Sequence, residues 1–270
     1  IFLVICLSTL LGCGQTDNEQ RVETKKKAKI GREDTVIFDH EGGPIPDPHN
    51  LNPLVPSPTG PGMRQSCWEP LFILNYETGK IESWTGDFFT PNDKLDIWTL
   101  KIRAGVEWSD GEAFDADDVL FTINTLLNDT TQSLGDAASM QQWVDAVEKI
   151  DPLTVQFNLK GPNPRFKLDY FSVRVGSSMV ILPEHVWAGQ DPATFKFYDP
   201  EKGWPIGTGA YRLISASENE FVFDRRDDWW GAKSNFRQLP EPKRLLWVVT
   251  GLEENRALLA AESELDSIMD

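Results

Sequence analysis

The sequence predicts a mixed α/β (α+β) fold in which short strands alternate with helices along the chain. Residues 98–102 alternate apolar with polar side chains, and this two-residue period is typical of a half-buried strand. Residues 109–111, Ser-Asp-Gly, then supply a tight turn. Apolar side chains recur at helical spacing over residues 119–127. A strand, a turn and a helix in close succession therefore indicate interleaved secondary structure.

The start of this helix carries a signal of its own. Asp115 stands where an N-cap is expected, and Asp118 follows three residues later. An acidic side chain at that position can accept a hydrogen bond from the N-cap backbone, as the Glu of a capping box does. Acidic charge is also stabilising at the positive end of the helix dipole. We therefore predict that the helix begins near Ala116.

The remaining elements are predicted from short apolar runs that turn residues separate. Strands are expected at residues 35–38, 71–74, 81–84, 95–102, 154–159, 209–214, 220–224 and 245–249, with 209–214 and 220–224 paired. Further helices are expected at residues 140–150, 166–171 and 253–261, and one starts near residue 183. Residues 42–63 are rich in Pro and Gly, which predicts a long loop.

The first residues indicate export. Residues 1–11 are almost entirely apolar, but a membrane-spanning helix needs about 20 such residues. The run ends at Gly12 and Cys13, which is the pattern of a lipoprotein signal. We predict a signal peptide at residues 1–13, lipidation of Cys13 and a polar tether at residues 14–33. The alternative is a truncated membrane helix or a buried helix.

Charge and cysteine content restrict the function further. A net charge of −16 argues against binding to nucleic acid and to an anionic membrane surface. If Cys6 leaves with the signal and Cys13 carries lipid, only Cys67 remains in the folded part. One thiol cannot form an internal disulfide, and no base partner for a nucleophile is identifiable. We predict that Cys67 is a small buried apolar residue.

Several motifs occur in a characteristic order. They are residues 69–72 (EPLF) with 78–80 (TGK), the segment 98–122, residues 206–213 (IGTGAYRL), residues 226–231 (RDDWWG) and residues 262–266 (ESELD). In this combination the chain resembles the family 5 extracellular solute-binding proteins, which deliver peptides, nickel or oligosaccharides to ABC importers.

The resemblance implies a bilobal fold like that of periplasmic binding proteins. Residues 34–68 and 173–270 would form a discontinuous domain I, and residues 69–172 would form domain II. Members of the family are longer than this chain, so we expect a third, C-terminal lobe that this chain lacks. The resemblance also implies a monomeric carrier without catalysis or cofactor. It would be lipid-anchored in the periplasm or at the cell surface, where permease and ATPase subunits are its partners.

The resemblance suggests where a ligand would bind. In relatives the Pro-rich segment runs along the ligand cleft, and two Trp residues flank Pro-rich loops and could stack on a ligand. The predicted ligand-binding residues are Ser57, Thr59, Gly60, Met63, Trp68 and Trp204. Our first hypothesis for the ligand is an oligopeptide, the second is a short oligosaccharide, and nickel is less favoured.

Other kinds of site are weaker readings of the same sequence. His40, Glu41, Asp47 and His49 could hold a metal, but proximity in a loop does not bring ligands together. A secreted hydrolase would need two facing carboxyl groups, and the adjacent pairs Asp117–Asp118 and Asp227–Asp228 would point apart. No G-x-S-x-G motif and no nucleotide-binding glycine motif occurs. We therefore predict no metal site and no catalytic residues.

Overall fold

The computed structural model describes residues 30–40, 43–55, 60–173 and 178–267. The strands are β1 Thr35–His40, β2 Phe72–Asn75, β3 Lys80–Ser83, β4 Gly86–Pro91, β5 Ile97–Ile102, β6 Val144–Asp151, β7 Thr154–Leu159, β8 Ser172–Val173, β9 Tyr211–Ala216, β10 Glu220–Arg225 and β11 Arg244–Val249. The helices are α1 Met63–Ser66, α2 Ala116–Leu127, α3 Ala137–Trp143, α4 Phe166–Phe171, α5 Glu184–Trp187, α6 Trp230–Lys233 and α7 Glu253–Ala261, and a 3-10 turn spans Arg32–Asp34. This mixture confirms the predicted α/β class.

One four-stranded sheet joins strands that are distant in the sequence. Its order is β1-β11-β10-β9, with β1 parallel to β11 and the other pairs antiparallel. The predicted pairing of the two strands after residue 209 is therefore confirmed. Phe223 and Trp247 meet edge-to-face with ring centroids 5.3 Å apart, and Phe38 stacks on Trp247. These aromatic contacts connect three strands of the sheet, β1, β10 and β11.

A second four-stranded sheet has the order β4-β5-β7-β6 and is antiparallel throughout. Trp98, Leu100 and Ile102 of β5 are buried, which confirms the predicted alternation. Phe89 of β4 lies within an aromatic cluster that includes Phe157, at a centroid distance of 5.3 Å. Helix α2 packs on this sheet. A small third sheet has the order β3-β2-β8.

The predicted helix at residues 140–150 is wrong beyond its first turn. Helix α3 ends at Trp143, and the following residues form β6, which pairs with β7 along its length. Val144 and Val147 suit one face of a helix by spacing, but hydrogen bonding to the neighbouring strand decides their conformation. Strand β4 was not predicted from the sequence. Strand β5 was predicted to begin at residue 95 but begins at Ile97, because Leu95 has a φ of +61°, outside the strand region.

Within the described ranges, no helix is both long enough and apolar enough to cross a membrane. Cys67 is buried and not in a disulfide, as predicted.

Candidate functional site

The short helix α1 is held in place by close backbone contacts at both ends. Gly62 precedes it with a φ of +79°, and a Cβ there would lie 2.5 Å from the Trp247 ring. After its last turn, the Gly209 N–H donates to the carbonyl of Cys67 at 2.9 Å. A Cβ on Gly209 would lie 2.1 Å from the carbonyl oxygen of Ser66. Glycine therefore allows the IGTGAYRL segment to approach α1 directly.

A groove of about 640 Å³ opens beside α1. A side chamber of about 60 Å³ adjoins it and shares several of its lining residues. We call the two together the α1 groove. Its lining includes Arg64, Ser66, Trp68, Glu69, Trp84, Ser178, Trp229 and Arg237. The size falls in the range of about 300–1,000 Å³ that small-molecule sites usually have.

Glu69 carries a carboxyl group among indole rings. The Trp230 Nε1 donates to Glu69 Oε2 at 2.7 Å. Burial raises the pKa of Glu69 to about 7, although the polar hydrogens of Trp84, Trp230 and Thr208 around the carboxyl act in the opposite direction. Near neutral pH this carboxyl group is therefore divided between its protonated and ionised forms.

Two guanidinium groups face the same groove. Arg64 is half-buried, and its Nη1 donates to the carbonyl of Ser178. Burial lowers the pKa of Arg64, and the nearby charge of Asp136 opposes this effect. Arg237 is exposed, and its guanidinium lies 5.4 Å from the centroid of the Trp84 ring. The groove therefore combines two cations and one carboxyl group with aromatic surface.

Three residues that line the groove each have a buried polar atom with no hydrogen-bond partner among the described residues. These atoms are the Oγ of Ser66, the Nε1 of Trp68 and the Nε1 of Trp84. Ser66 is 3 % exposed and Trp68 is 7 % exposed. Buried polar groups in native proteins almost always have a hydrogen-bond partner, which can be a protein group or an ordered water molecule.

The structure brings some of the predicted ligand-binding residues to this region. Trp68 lines the side chamber, and Gly60 and Met63 lie at the start of α1, where Met63 is buried. Ser57 and Thr59 lie outside the described residues, and so does Cys13.

Trp204 lies elsewhere. It lines a separate pocket of about 350 Å³ together with Asp110 and Arg212, and Lys202 Nζ lies 4.5 Å from the centroid of its ring. The sequence analysis grouped Trp204 with Trp68 because each flanks a Pro-rich loop. In the folded chain the two residues line different pockets.

Arg64 and Glu69 were not predicted as site residues. Glu69 belongs to the EPLF motif, and Arg64 comes five residues earlier. The sequence signal that could have identified them is their position, since these two charged residues lie on either side of Cys67, which was predicted to be buried. Their shared position depends on Trp84, Trp230 and Ser178, which are distant in the sequence.

The alternative metal-binding residues have structural contacts. His49 stacks on Tyr198 at a centroid distance of 4.2 Å, and Asp47 pairs with Lys196 at 3.0 Å. His40 ends β1, and Glu41 lies outside the described residues. In the part of the chain that is described, no three potential metal ligands converge.

The acidic pairs are likewise engaged in structural contacts. Asp117 pairs with Lys149, while Asp118 closes the predicted capping box with Asp115. Asp227 pairs with Arg225 at 3.1 Å. Asp228 lies 3.5 Å from Arg226.

Comparison with known proteins identifies a family and several relatives. A model for bacterial extracellular solute-binding proteins, family 5 Middle, matches residues 75–269. Protein XP55 of Streptomyces lividans is 32 % identical over 172 residues, which cover 62 % of this chain and 28 % of that protein. The glutathione-binding protein GsiB of Escherichia coli strain K12 is 28 % identical over 177 residues, or 65 % of this chain and 31 % of GsiB. The chain thus spans about a third of these relatives.

Solved structures share the fold. The mannohexaose-bound periplasmic oligopeptide-binding protein of Thermotoga maritima superimposes with a TM-score of 0.74 at 23 % identity, over 88 % of this chain and 42 % of that one. AppA of Bacillus subtilis in complex with a nonapeptide gives a TM-score of 0.69 at 19 % identity, over 87 % and 43 %. NikZ of Campylobacter jejuni with Ni(L-His) gives 0.69 at 21 % identity, over 87 % and 43 %. This likeness confirms the predicted periplasmic-binding-protein-like fold.

Proposed function

Because the chain belongs to the bacterial extracellular solute-binding proteins of family 5, we propose that the full-length protein captures oligopeptides outside the cytoplasmic membrane. It would deliver them unchanged to the permease and ATPase subunits of an ABC importer. Closure of lobes around a ligand suits this role, since it links occupancy to the shape that a permease contacts.

The α1 groove is the observation that supports a peptide ligand most directly. Arg64 and Glu69 offer opposite charges, and Trp84 and Trp229 offer aromatic surface, so charged and apolar parts of one peptide could bind together. The names of two compared proteins point the same way, since one binds glutathione and another was solved with a nonapeptide.

A short oligosaccharide is the second candidate ligand. Trp68, Trp84 and Trp229 line the groove, and indole faces can stack on sugar rings. The Thermotoga maritima protein was solved with mannohexaose bound. A nickel complex ranks third, on the NikZ likeness alone. The proposal includes no catalytic step, and release of a product on prolonged incubation would contradict it.

Calorimetric titration of the full-length protein tests the ligand class. We expect heat from a pool of short peptides and none from pools of cello- or manno-oligosaccharides or from nickel–histidine. Heat from the sugar pools alone would refute the peptide proposal and support the second candidate. A variant with Trp84→Ala in the groove should lose the signal, whereas Trp204→Ala in the separate pocket should keep it.

The domain division and the lipid anchor remain part of the proposal. The sheet β1-β11-β10-β9 draws strands from both predicted segments of domain I, residues 34–68 and 173–270, which supports that division. We propose that lipidated Cys13 tethers a monomer to the membrane. The Cys13→Ala protein should then lose its partitioning into detergent, and unchanged partitioning would refute the anchor.

A further inference from the structure

The pocket that contains Trp204 has no role in the proposed function. Its volume of about 350 Å³ lies within the range of about 300–1,000 Å³ that small-molecule sites usually have. The turn at residues 109–110, the loop at residues 198–206 and strand β9 together line it. We call this cavity the Trp204 pocket. Its lining residues differ from those of the α1 groove, so the two are separate places on the molecule.

One wall of the Trp204 pocket is built by an irregularity in strand β9. Arg212, Leu213 and Ile214 are consecutive, and all three line the pocket. In a regular strand successive side chains point to opposite faces, so only alternate residues share one surface. The pairing of β9 with β10 shifts register here, which makes Ile214 the extra residue of a β-bulge, and Ile214 is 42 % exposed. Bulges redirect side chains and are frequent next to functional sites.

The charged residues of the Trp204 pocket differ in whether they have partners. Asp110 pairs with His185 at 2.8 Å, and Lys202 pairs with Asp199 at 3.3 Å. The exposed Arg212, by contrast, has neither a side-chain hydrogen bond nor an ion pair with any residue in the described part of the chain. The positive charge of Arg212 is therefore the uncompensated one among the charges that line this pocket.

The acidic residue opposite Arg212 on the neighbouring strand is already engaged. Asp224 is the register partner of Arg212 on β10, and its two carboxyl oxygens accept from Arg244 at 2.7 and 3.1 Å. A guanidinium group presents N–H donors in a planar fork that matches the oxygens of a carboxylate or a phosphate. In a chain of net charge −16, Arg212 thus offers this fork to an anion from outside.

The aromatic surface of the pocket is held in place before any ligand arrives. Phe195 meets the Trp204 ring edge-to-face at a centroid distance of 5.6 Å, and the Trp204 backbone N–H donates to the carbonyl of Asp199 at 2.9 Å. Tyr198, another lining residue, stacks on His49 at 4.2 Å. A largely pre-formed apolar surface with a few polar groups is typical of small-molecule sites.

We propose that the Trp204 pocket binds a small organic anion, whose charged group Arg212 holds while its flat or apolar body lies against Trp204 and Ile214. This site goes beyond the proposed carrier function and does not depend on it. A carboxylate and a phosphate present the same chemistry to the guanidinium fork, so the probes of the test are chosen to separate them.

The test follows the indole N–H resonance of Trp204 in the ¹⁵N-labelled full-length protein. The Trp204→Phe spectrum identifies this resonance, because it is missing there. Benzoate, phenyl phosphate and benzamide share one ring, and only the first two carry a charge. We expect the preferred anion to shift the resonance with a dissociation constant at least about 10-fold lower than that of benzamide, the effect of a charged hydrogen bond. The anion that binds more tightly identifies the group that the site prefers.

Two variants connect the effect to Arg212. Arg212→Gln should weaken binding of the preferred anion by about 10-fold and leave binding of benzamide unchanged. Arg212→Lys keeps the charge without the fork, and it should give an intermediate loss. Arg237→Gln changes an exposed arginine of the α1 groove, so it is the matched control and should change nothing.

Two kinds of result would overturn the inference. The first is that benzamide binds as tightly as the anions, or that Arg212→Gln weakens all three probes equally. The second is that no probe shifts the Trp204 resonance of the wild-type protein. Neither result bears on the peptide titration, so the carrier function is judged separately. The comparison of charged with neutral probes uses the wild-type protein, and it remains decisive even if an Arg212 variant does not fold.

Discussion

Replacement of Glu69 by Gln should change how stability depends on pH. Glu69 is the groove carboxyl that accepts a hydrogen bond from Trp230 at 2.7 Å. A Gln side chain has nearly the same shape and can still accept this bond through its amide oxygen. The substitution therefore removes the ionisable group and keeps the packing, so its effect reports on charge.

The sign and magnitude follow from the pKa. Burial raises the pKa of Glu69 from an ordinary 4.5 to about 7. Between these values the folded protein holds a proton that the unfolded chain has lost, so stability falls as pH rises through this window. At about 1.4 kcal/mol per pKa unit, the full effect is about 3 kcal/mol. The Glu69→Gln variant should not show this loss.

Urea unfolding followed by tryptophan fluorescence measures the effect at pH 4.5 and at pH 8. The free energy of unfolding of the variant, minus that of the wild type, should rise by about 3 kcal/mol between the two pH values. Asp118, whose pKa burial raises to about 6, titrates in the same window, but it is present in both proteins and cancels. Glu241→Gln at an exposed position is the control and should show no change. A difference that stays constant with pH would refute the argument.

Three further predictions follow from the core and from the environment of α1. Asp118→Ala removes the acceptor of Trp108 Nε1 and of two backbone N–H groups. Urea unfolding should therefore show a free energy of unfolding that is lower by about 2 kcal/mol, and an unchanged midpoint would contradict this. Gly209→Ala places a Cβ against the Ser66 carbonyl, and we expect destabilisation by at least about 3 kcal/mol or failure to fold. The control Gly161→Ala, at an open position, should lower the free energy of unfolding by less than about 1 kcal/mol. Cys67 is buried with its pKa raised to about 12, so peptide mapping should find it alkylated by iodoacetamide only in denaturing urea; rapid alkylation of the native protein would show that it is accessible.

The sequence predicted those features that depend on neighbouring residues. The capping box of Asp115 and Asp118 involves side chains and backbone groups within one helical turn, and it forms as expected. The alternation in β5 was readable because one face of that strand packs on the core. The motifs between residues 69 and 266 identified the family, because their glycines and aromatic residues meet fixed steric demands, as Gly209 does against Ser66.

One error arose where local spacing fits two conformations. Residues 144–151 have apolar side chains at intervals that suit a helix, but β7 offers them a ladder of hydrogen bonds. The sequence also did not show that Trp68 and Trp204, both predicted to bind ligand, line different pockets. In both cases the deciding neighbours are distant in the sequence.

The sequence by itself therefore determined the α/β class, the family and most of the element positions, because propensity, capping and steric demand act over a few residues. Only the tertiary structure decided the α1 groove. Burial in the folded chain raises the pKa of the Glu69 carboxyl, while the hydrogen bond from Trp230, far along the chain, opposes that rise. Arg64 likewise reaches the carbonyl of Ser178 only in the folded chain. Burial and electrostatics depend on every group within a few ångströms, whatever its distance in sequence, so they exist only once the chain has folded.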